Sequence, residues 1–141
     1  NNILLNIPPN MQQKILFNIC FQVLYTLEVF NRIGLKHNDL HYGNILLLIK
    51  KDNIINGKHL KINRLYTWRD EKGKLQNVYL ENIGIDVRIF DFDRSSMVKT
   101  KNQYFNENLN TKYLNYYNYS GLNNIQNKSF DTYKFLKRLY Y

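Results

Sequence analysis

Asp39, Asn44 and Asp91 are the residues of this chain whose types and spacing could do chemistry. The first two lie in the run His37-Asn38-Asp39-Leu40-His41-Tyr42-Gly43-Asn44, and an apolar run, Ile45 to Ile49, follows at once. A second apolar run, Val87 to Phe90, ends directly on Asp91-Phe92-Asp93. If the two runs pair as antiparallel strands, the start of the first lies beside the end of the second. Asn44 and Asp91 then share one edge, with Asp39 close by. Two oxygen ligands and a neighbouring carboxylate suit Mg²⁺ and a phosphate donor, because Mg²⁺ is hard and usually takes few protein ligands plus phosphate oxygens.

The pattern His37-x-Asp39-x4-Asn44, followed by Asp91-Phe92, resembles the catalytic loop and metal-binding motif of the protein-kinase-like superfamily. The resemblance implies that Asp39 takes the proton of an acceptor hydroxyl and that Asn44 and Asp91 hold Mg²⁺ on the phosphates of ATP. It makes His37 and Phe92 structural supports. His41 stands where protein kinases usually carry a lysine, and would contact the transferring phosphoryl group. Asn38 replaces the arginine that many kinases use to read a phosphorylated activation segment, which argues against activation of that kind. Asp93 replaces the usual glycine, either as a further acid near the metal or as a cap on residues 94 to 96.

Elements must position these residues. Asn10, with Gln13 three residues on, reads as a helix cap after Pro8-Pro9. Ile15, Ile19, Val23, Leu27 and Phe30, with Leu16, Cys20 and Leu24 beside them, give helical spacing and a broad buried face over about 11–32. Gly34 is a natural helix stop. Ile45 to Ile49 and Val87 to Phe90 read as short buried strands. The segment between them, about 60–83, reads as an inserted hairpin turning near Lys72-Gly73. Residues 94–129 are polar and rich in Asn and Tyr, in the place of an activation and substrate-binding segment, without an Ala-Pro-Glu motif. A helix starts near Phe130. By the resemblance, Asp131 would accept hydrogen bonds from the catalytic-loop backbone; as a lone residue it serves equally as a helix N-terminal charge.

The 141 residues are 44% hydrophobic, enough for one packed domain or part of one, and too apolar for a disordered chain. The net charge of +9 is spread along the chain without a tight cluster, so solvated faces are the first reading and no nucleic-acid partner is expected. Tyr104, Tyr113, Tyr116, Tyr117 and Tyr119, interleaved with Lys and Asn, read as loop packing before base stacking. One cysteine, Cys20, allows no internal disulfide. No run approaches a membrane span and no signal-peptide pattern opens the chain, so a cytoplasmic setting is expected (a host cytoplasm or virion were the source viral).

No Gly-rich phosphate loop and no Val-Ala-Ile-Lys strand is present. The chain, which begins at Asn1, is therefore expected to be a piece of a larger domain whose small N-terminal lobe is required for nucleotide binding. The fold expected is α+β: a kinase-like C-terminal lobe, mainly helical, with a small antiparallel hairpin at the catalytic loop. The activity expected is Mg²⁺- and ATP-dependent phosphoryl transfer to a hydroxyl, with a Ser/Thr protein as acceptor. Leu40-His41-x-Gly43-Asn44 also resembles small-molecule phosphotransferases such as aminoglycoside and choline kinases, which keeps a small acceptor open. A scaffold that keeps the fold without turnover is the third reading.

Overall fold

The computed structural model describes residues 8–49, 54–55, 58–59, 63–98 and 127–140. In chain order the elements are α1 (Pro9–Ile33), β1 (Leu35–Lys36), a 3-10 turn (Tyr42–Asn44), β2 (Ile45–Ile49), β3 (Ile54–Ile55), β4 (Lys58–His59), β5 (Asn63–Arg69), β6 (Leu75–Glu81), β7 (Ile85–Ile89), β8 (Ser96–Met97) and α2 (Phe130–Tyr140). The architecture is α+β. Among the described residues the strands form four two-stranded sheets, β1 with β8, β2 with β7, β3 with β4 and β5 with β6. Helix and strand take comparable shares of the described residues, more strand than a mainly helical lobe would hold, because the stretch between β2 and β7 contributes four of the eight described strands, two of them the inserted hairpin. The five tyrosines between 104 and 119, and most of the segment 94–129, lie outside the described residues.

α1 begins two residues before its expected start. The Pro8 carbonyl accepts from Met11 N (2.9 Å) and Gln12 N (3.0 Å), so Pro8 caps and Pro9 fills the first helical position, where its missing N–H costs nothing. Asn10 is therefore inside the first turn and accepts only from its neighbour Met11 N. The buried stripe is also narrower than the spacing suggested. Val23 and Leu27 are buried, whereas Leu16 and Leu24 are exposed.

The chain divides into two compact units, and α1, β2 and β7 each contribute to both. The first comprises Asn1–Phe21 and Leu47–Val87. It carries the β5–β6 hairpin, antiparallel with Asn63 opposite Glu81 and Arg69 opposite Leu75. Half-buried and exposed residues alternate along both strands, as the period-two pleat requires. The half-buried face carries Tyr66, edge-on to Phe21 at 5.0 Å. Glu81 accepts from Lys14 Nζ through its carboxylate and from Asn18 Nδ2 through its carbonyl, and Arg64 pairs with the buried Asp86.

The second unit comprises Gln22–Leu46 and Arg88–Tyr141. All four apolar residues that are buried among those described, Val23, Leu27, Leu40 and Phe135, lie in it. Gly34 ends α1 at φ 71°, a left-handed conformation that suits glycine. Its carbonyl accepts from Val98 N at 3.0 Å, beside the ladder that sets Leu35 opposite Met97 and Lys36 opposite Ser96. The loop carrying Asp39 thus starts from a helix end tied to residues 96–98. The two apolar strands flanking that loop are less buried than their composition suggested. Leu46 to Ile49 are exposed and so is Phe90, because β2 and β7 pair only with each other among the described residues.

Candidate functional site

The site is assembled by backbone-directed hydrogen bonds of buried polar side chains. Asn44 closes the 3-10 turn and is 4% exposed. Its Nδ2 donates to the Asp39 carbonyl at 3.0 Å, and its own carbonyl accepts from Phe90 N at 3.1 Å. These two bonds bring the loop, the start of β2 and the residue preceding Asp91 to one place. With Nδ2 committed, the free polar atom of the Asn44 amide is its oxygen, the kind of donor a hard cation takes. Asp91 follows Phe90 in a left-handed conformation, φ 64°. Asp adopts this backbone more readily than most residues, and strain of this kind gathers at functional sites. β7 ends at Ile89, so Asp91 and Asp93 lie past the end of the strand. Both carboxylates are exposed.

His37 is fully buried. Its Nε2 donates to the Phe90 carbonyl at 2.9 Å, and its Nδ1 accepts from Asp39 N at 3.3 Å. Using both ring nitrogens fixes one tautomer and locks the ring. The ring of Phe92 lies 4.8 Å from that of His37 and 5.7 Å from that of Phe30. His37 therefore ties the Asp39 loop to the segment entering Asp91.

Asp131, in the first turn of α2, receives the loop from below in sequence terms: its Oδ2 accepts from His37 N at 2.6 Å and its Oδ1 from Asn38 N at 3.0 Å. Burial pushes the Asp131 carboxyl above its ordinary range, against the opposing pull of the His37 and Asn38 N–H groups and of Lys36. The Lys36 ammonium lies 4.2 Å from the centre of the Phe130 ring, and burial pushes it down. Asn38 takes a left-handed φ of 68° and is fully buried. Its Nδ2 donates to the Arg94 carbonyl at 2.9 Å and to Ser96 Oγ at 3.3 Å.

His41 caps the 3-10 turn, its Nδ1 accepting from Gly43 N at 3.0 Å. Two cations stand near Asp39 that sequence reasoning did not single out. Arg94 Nη1 is 3.2 Å from Asp39 Oδ2. Lys134, one helical turn after Asp131, is pushed down by burial while Asp39 pulls it back up. Arg94 follows the Asp91 motif almost directly, and that adjacency was the available signal. Lys134 gave none, since its relation to Asp39 exists only in the fold.

Among the described residues no group of three or more His, Cys, Asp or Glu side chains is arranged to hold a metal ion. The Asn44–Asp91 pair is a smaller set, of the kind completed by phosphate oxygens and water. No helix among the described residues is long and apolar enough to cross a membrane. No family model, no curated protein and no solved structure matches this chain.

Proposed function

We propose that this chain carries the catalytic loop and metal-binding motif of a protein-kinase-like phosphotransferase that moves the γ-phosphoryl group of ATP to a hydroxyl, with a Ser/Thr protein as acceptor. The reading is supported above all by the two bonds at Asn44, to the Asp39 carbonyl and from Phe90 N, which gather Asp39, Asn44 and the Asp91 segment at one edge. Asp39 orients the acceptor hydroxyl and takes its proton. The Asn44 oxygen and the Asp91 carboxylate would hold Mg²⁺, which supplies charge neutralisation on the phosphates when bound. His37, Phe92 and Asp131 keep the loop and the Asp91 segment in register. His41 stands at the place of the family's phosphoryl-contacting lysine. The small N-terminal lobe of the family would supply the other wall of the nucleotide cleft.

A small-molecule acceptor is the second reading. It is supported by the sequence resemblance of Leu40-His41-x-Gly43-Asn44 to small-molecule phosphotransferases, a run that the cap from Gly43 N to His41 Nδ1 closes into one turn. Transfer of label from γ-labelled ATP by the full-length protein tests both. Wild type is compared with Asp91→Asn, on a general protein acceptor and on a panel of aminoalcohols and aminoglycosides. Label on protein, lost in the variant, supports the first reading. Label on a small molecule alone moves the proposal to the second. A folded protein that binds ATP and labels nothing refutes turnover and leaves the scaffold.

A further inference from the structure

We infer that Arg94, rather than His41, is the cation that meets the transferring phosphoryl group beside Asp39; the inference rests on the phosphotransfer reading. In-line transfer breaks the bond from the γ-phosphorus to the bridging oxygen, whose electron pair leaves with ADP. The acceptor oxygen bonds to phosphorus and its proton passes to Asp39. Negative charge spreads over the equatorial oxygens, and a fixed cation next to the base stabilises it.

His41 is poorly suited to that task. Its Nδ1 accepts a hydrogen bond from Gly43 N, so that nitrogen is not offered to a phosphoryl oxygen. Its ring is spent on shaping the turn that delivers Asn44. Arg94 meets the requirements on three counts. Its guanidinium touches the base itself, Nη1 to Asp39 Oδ2 at 3.2 Å. Its backbone is held, since the buried Asn38 donates Nδ2 to the Arg94 carbonyl at 2.9 Å. Its side chain is 41% exposed, so donors remain for a ligand arriving from solvent. A guanidinium presents five N–H groups in a planar fork, enough to serve a carboxylate and a phosphoryl oxygen together, and it stays charged at any working pH. Asn38 in place of the usual loop arginine then has a use: it exchanges a side-chain charge on the loop for a tether on the residue that brings charge from the other segment.

The Asp39–Arg94 pair also admits the opposite role, a brake that occupies the base, and the experiment separates the two. Full-length wild type, Arg94→Ala, Arg94→Lys and His41→Asn are compared for label transfer and, independently of turnover, for binding of Mg²⁺·ADP with and without aluminium fluoride, a mimic of the planar phosphoryl group. Thermal melts confirm folding of each variant. The inference expects Arg94→Ala to lower kcat by about 10²–10³-fold, the usual cost of losing one transition-state donor. It expects Mg²⁺·ADP affinity to persist in Arg94→Ala while the gain from aluminium fluoride vanishes. Arg94→Lys recovers part of both, and His41→Asn, which keeps a cap acceptor and removes the imidazole, keeps the aluminium fluoride gain. Faster transfer by Arg94→Ala makes the pair a brake and overturns the inference. So does an aluminium fluoride gain that survives Arg94→Ala or disappears in a His41→Asn variant, whose side-chain oxygen can still cap Gly43 N. In those cases the phosphotransfer reading stands, because wild type transfers label. A wild type that neither transfers label nor binds Mg²⁺·ADP removes the reading and the inference together.

Discussion

Asp131 and Asp70 do the same job in two regions and pay different electrostatic costs. Each carboxylate accepts two backbone N–H bonds, Asp131 from His37 and Asn38, Asp70 from Lys72 (3.0 Å) and Lys74 (2.9 Å). Asp70 takes a third bond from Gln76 Nε2 at 2.8 Å. Yet the Asp131 carboxyl is pushed up and the Asp70 carboxyl is held down. For Asp131 burial is the dominant influence, and for Asp70 it is the Gln76 bond. Asp70 organises a turn whose members are within six residues of it, in contact with water. Asp131 reaches across more than ninety residues to hold a buried loop. The candidate site is thus kept in shape by a desolvated, long-range tether, and the hairpin by a local one. Charge placed where water is excluded fixes geometry at the expense of stability.

The contrast is sharpest if chemistry and tether are removed separately. Asp39→Asn is expected to lower kcat of the full-length protein by about 10²–10⁴-fold, the range a general base contributes, with the melting temperature nearly unchanged. Asp131→Ala is expected to do the reverse first. It leaves two buried N–H groups unpaired, each worth about 1–3 kcal/mol, so denaturant titration should show a loss of about 2–6 kcal/mol. Activity would then fall as a consequence of a displaced loop. If Asp131→Ala kept wild-type stability, the tether would be redundant and the comparison would collapse. Two glycines make the same test at smaller amplitude. Gly34 and Gly73 share a left-handed φ of 71° and 77°. A Cβ on Gly34 would fall 2.5 Å from Val98 Cγ2, whereas one on Gly73 meets nothing. Both alanine variants bear the left-handed backbone cost of about 1–2 kcal/mol. Gly34→Ala is expected to exceed Gly73→Ala, and equal costs would mean that Val98 gives way freely.

The hairpin was legible because its signals are local. Alternating residues flank Lys72-Gly73, and β5 and β6 pair around it in a register set by the turn. The long helix was legible from the spacing of Ile15, Ile19, Val23 and Leu27. Its start was placed two residues late because Pro9 enters the first helical position, where its missing N–H costs nothing. The neighbourhood of Asp39, Asn44 and Asp91 was legible only through strand order, since pairing β2 with β7 brings their ends together. The rest was not. No sequence pattern marks Asn38 and Asp91 as left-handed, and none pairs Arg94 with Asp39. Strand burial was overread, since an apolar run reports a preference for burial and β2 finds no cover among the described residues.

The smallest expected effect gives the cleanest reading of sign. A carboxyl held below its ordinary value of 3.8, as at Asp70, contributes stability that is present above that value and lost as pH falls through the lowered one. A carboxyl pushed above 3.8, as at Asp131, contributes in the opposite sense: its share is present below 3.8 and is lost as pH rises through the raised value. Urea denaturation of wild type, Asp70→Asn and Asp131→Asn over a pH series isolates each share as a difference between curves. The wild-type advantage over Asp70→Asn should shrink toward acid, since protonation removes the charge that Lys72, Lys74 and Gln76 solvate. The wild-type advantage over Asp131→Asn should instead shrink as pH rises above the ordinary carboxylate range, where the buried group must ionise. At Asp70 an asparagine oxygen can still take both backbone N–H bonds, which share Oδ1, whereas at Asp131 the two bonds use different oxygens and asparagine keeps only one of them, so for Asp131→Asn the slope with pH, not the offset, reports the charge. Curves that slope the same way for both variants would mean that the N–H groups of His37 and Asn38 outweigh burial at Asp131. The loop bearing Asp39 would then be held by an ionised anchor as comfortable as the one in the hairpin turn.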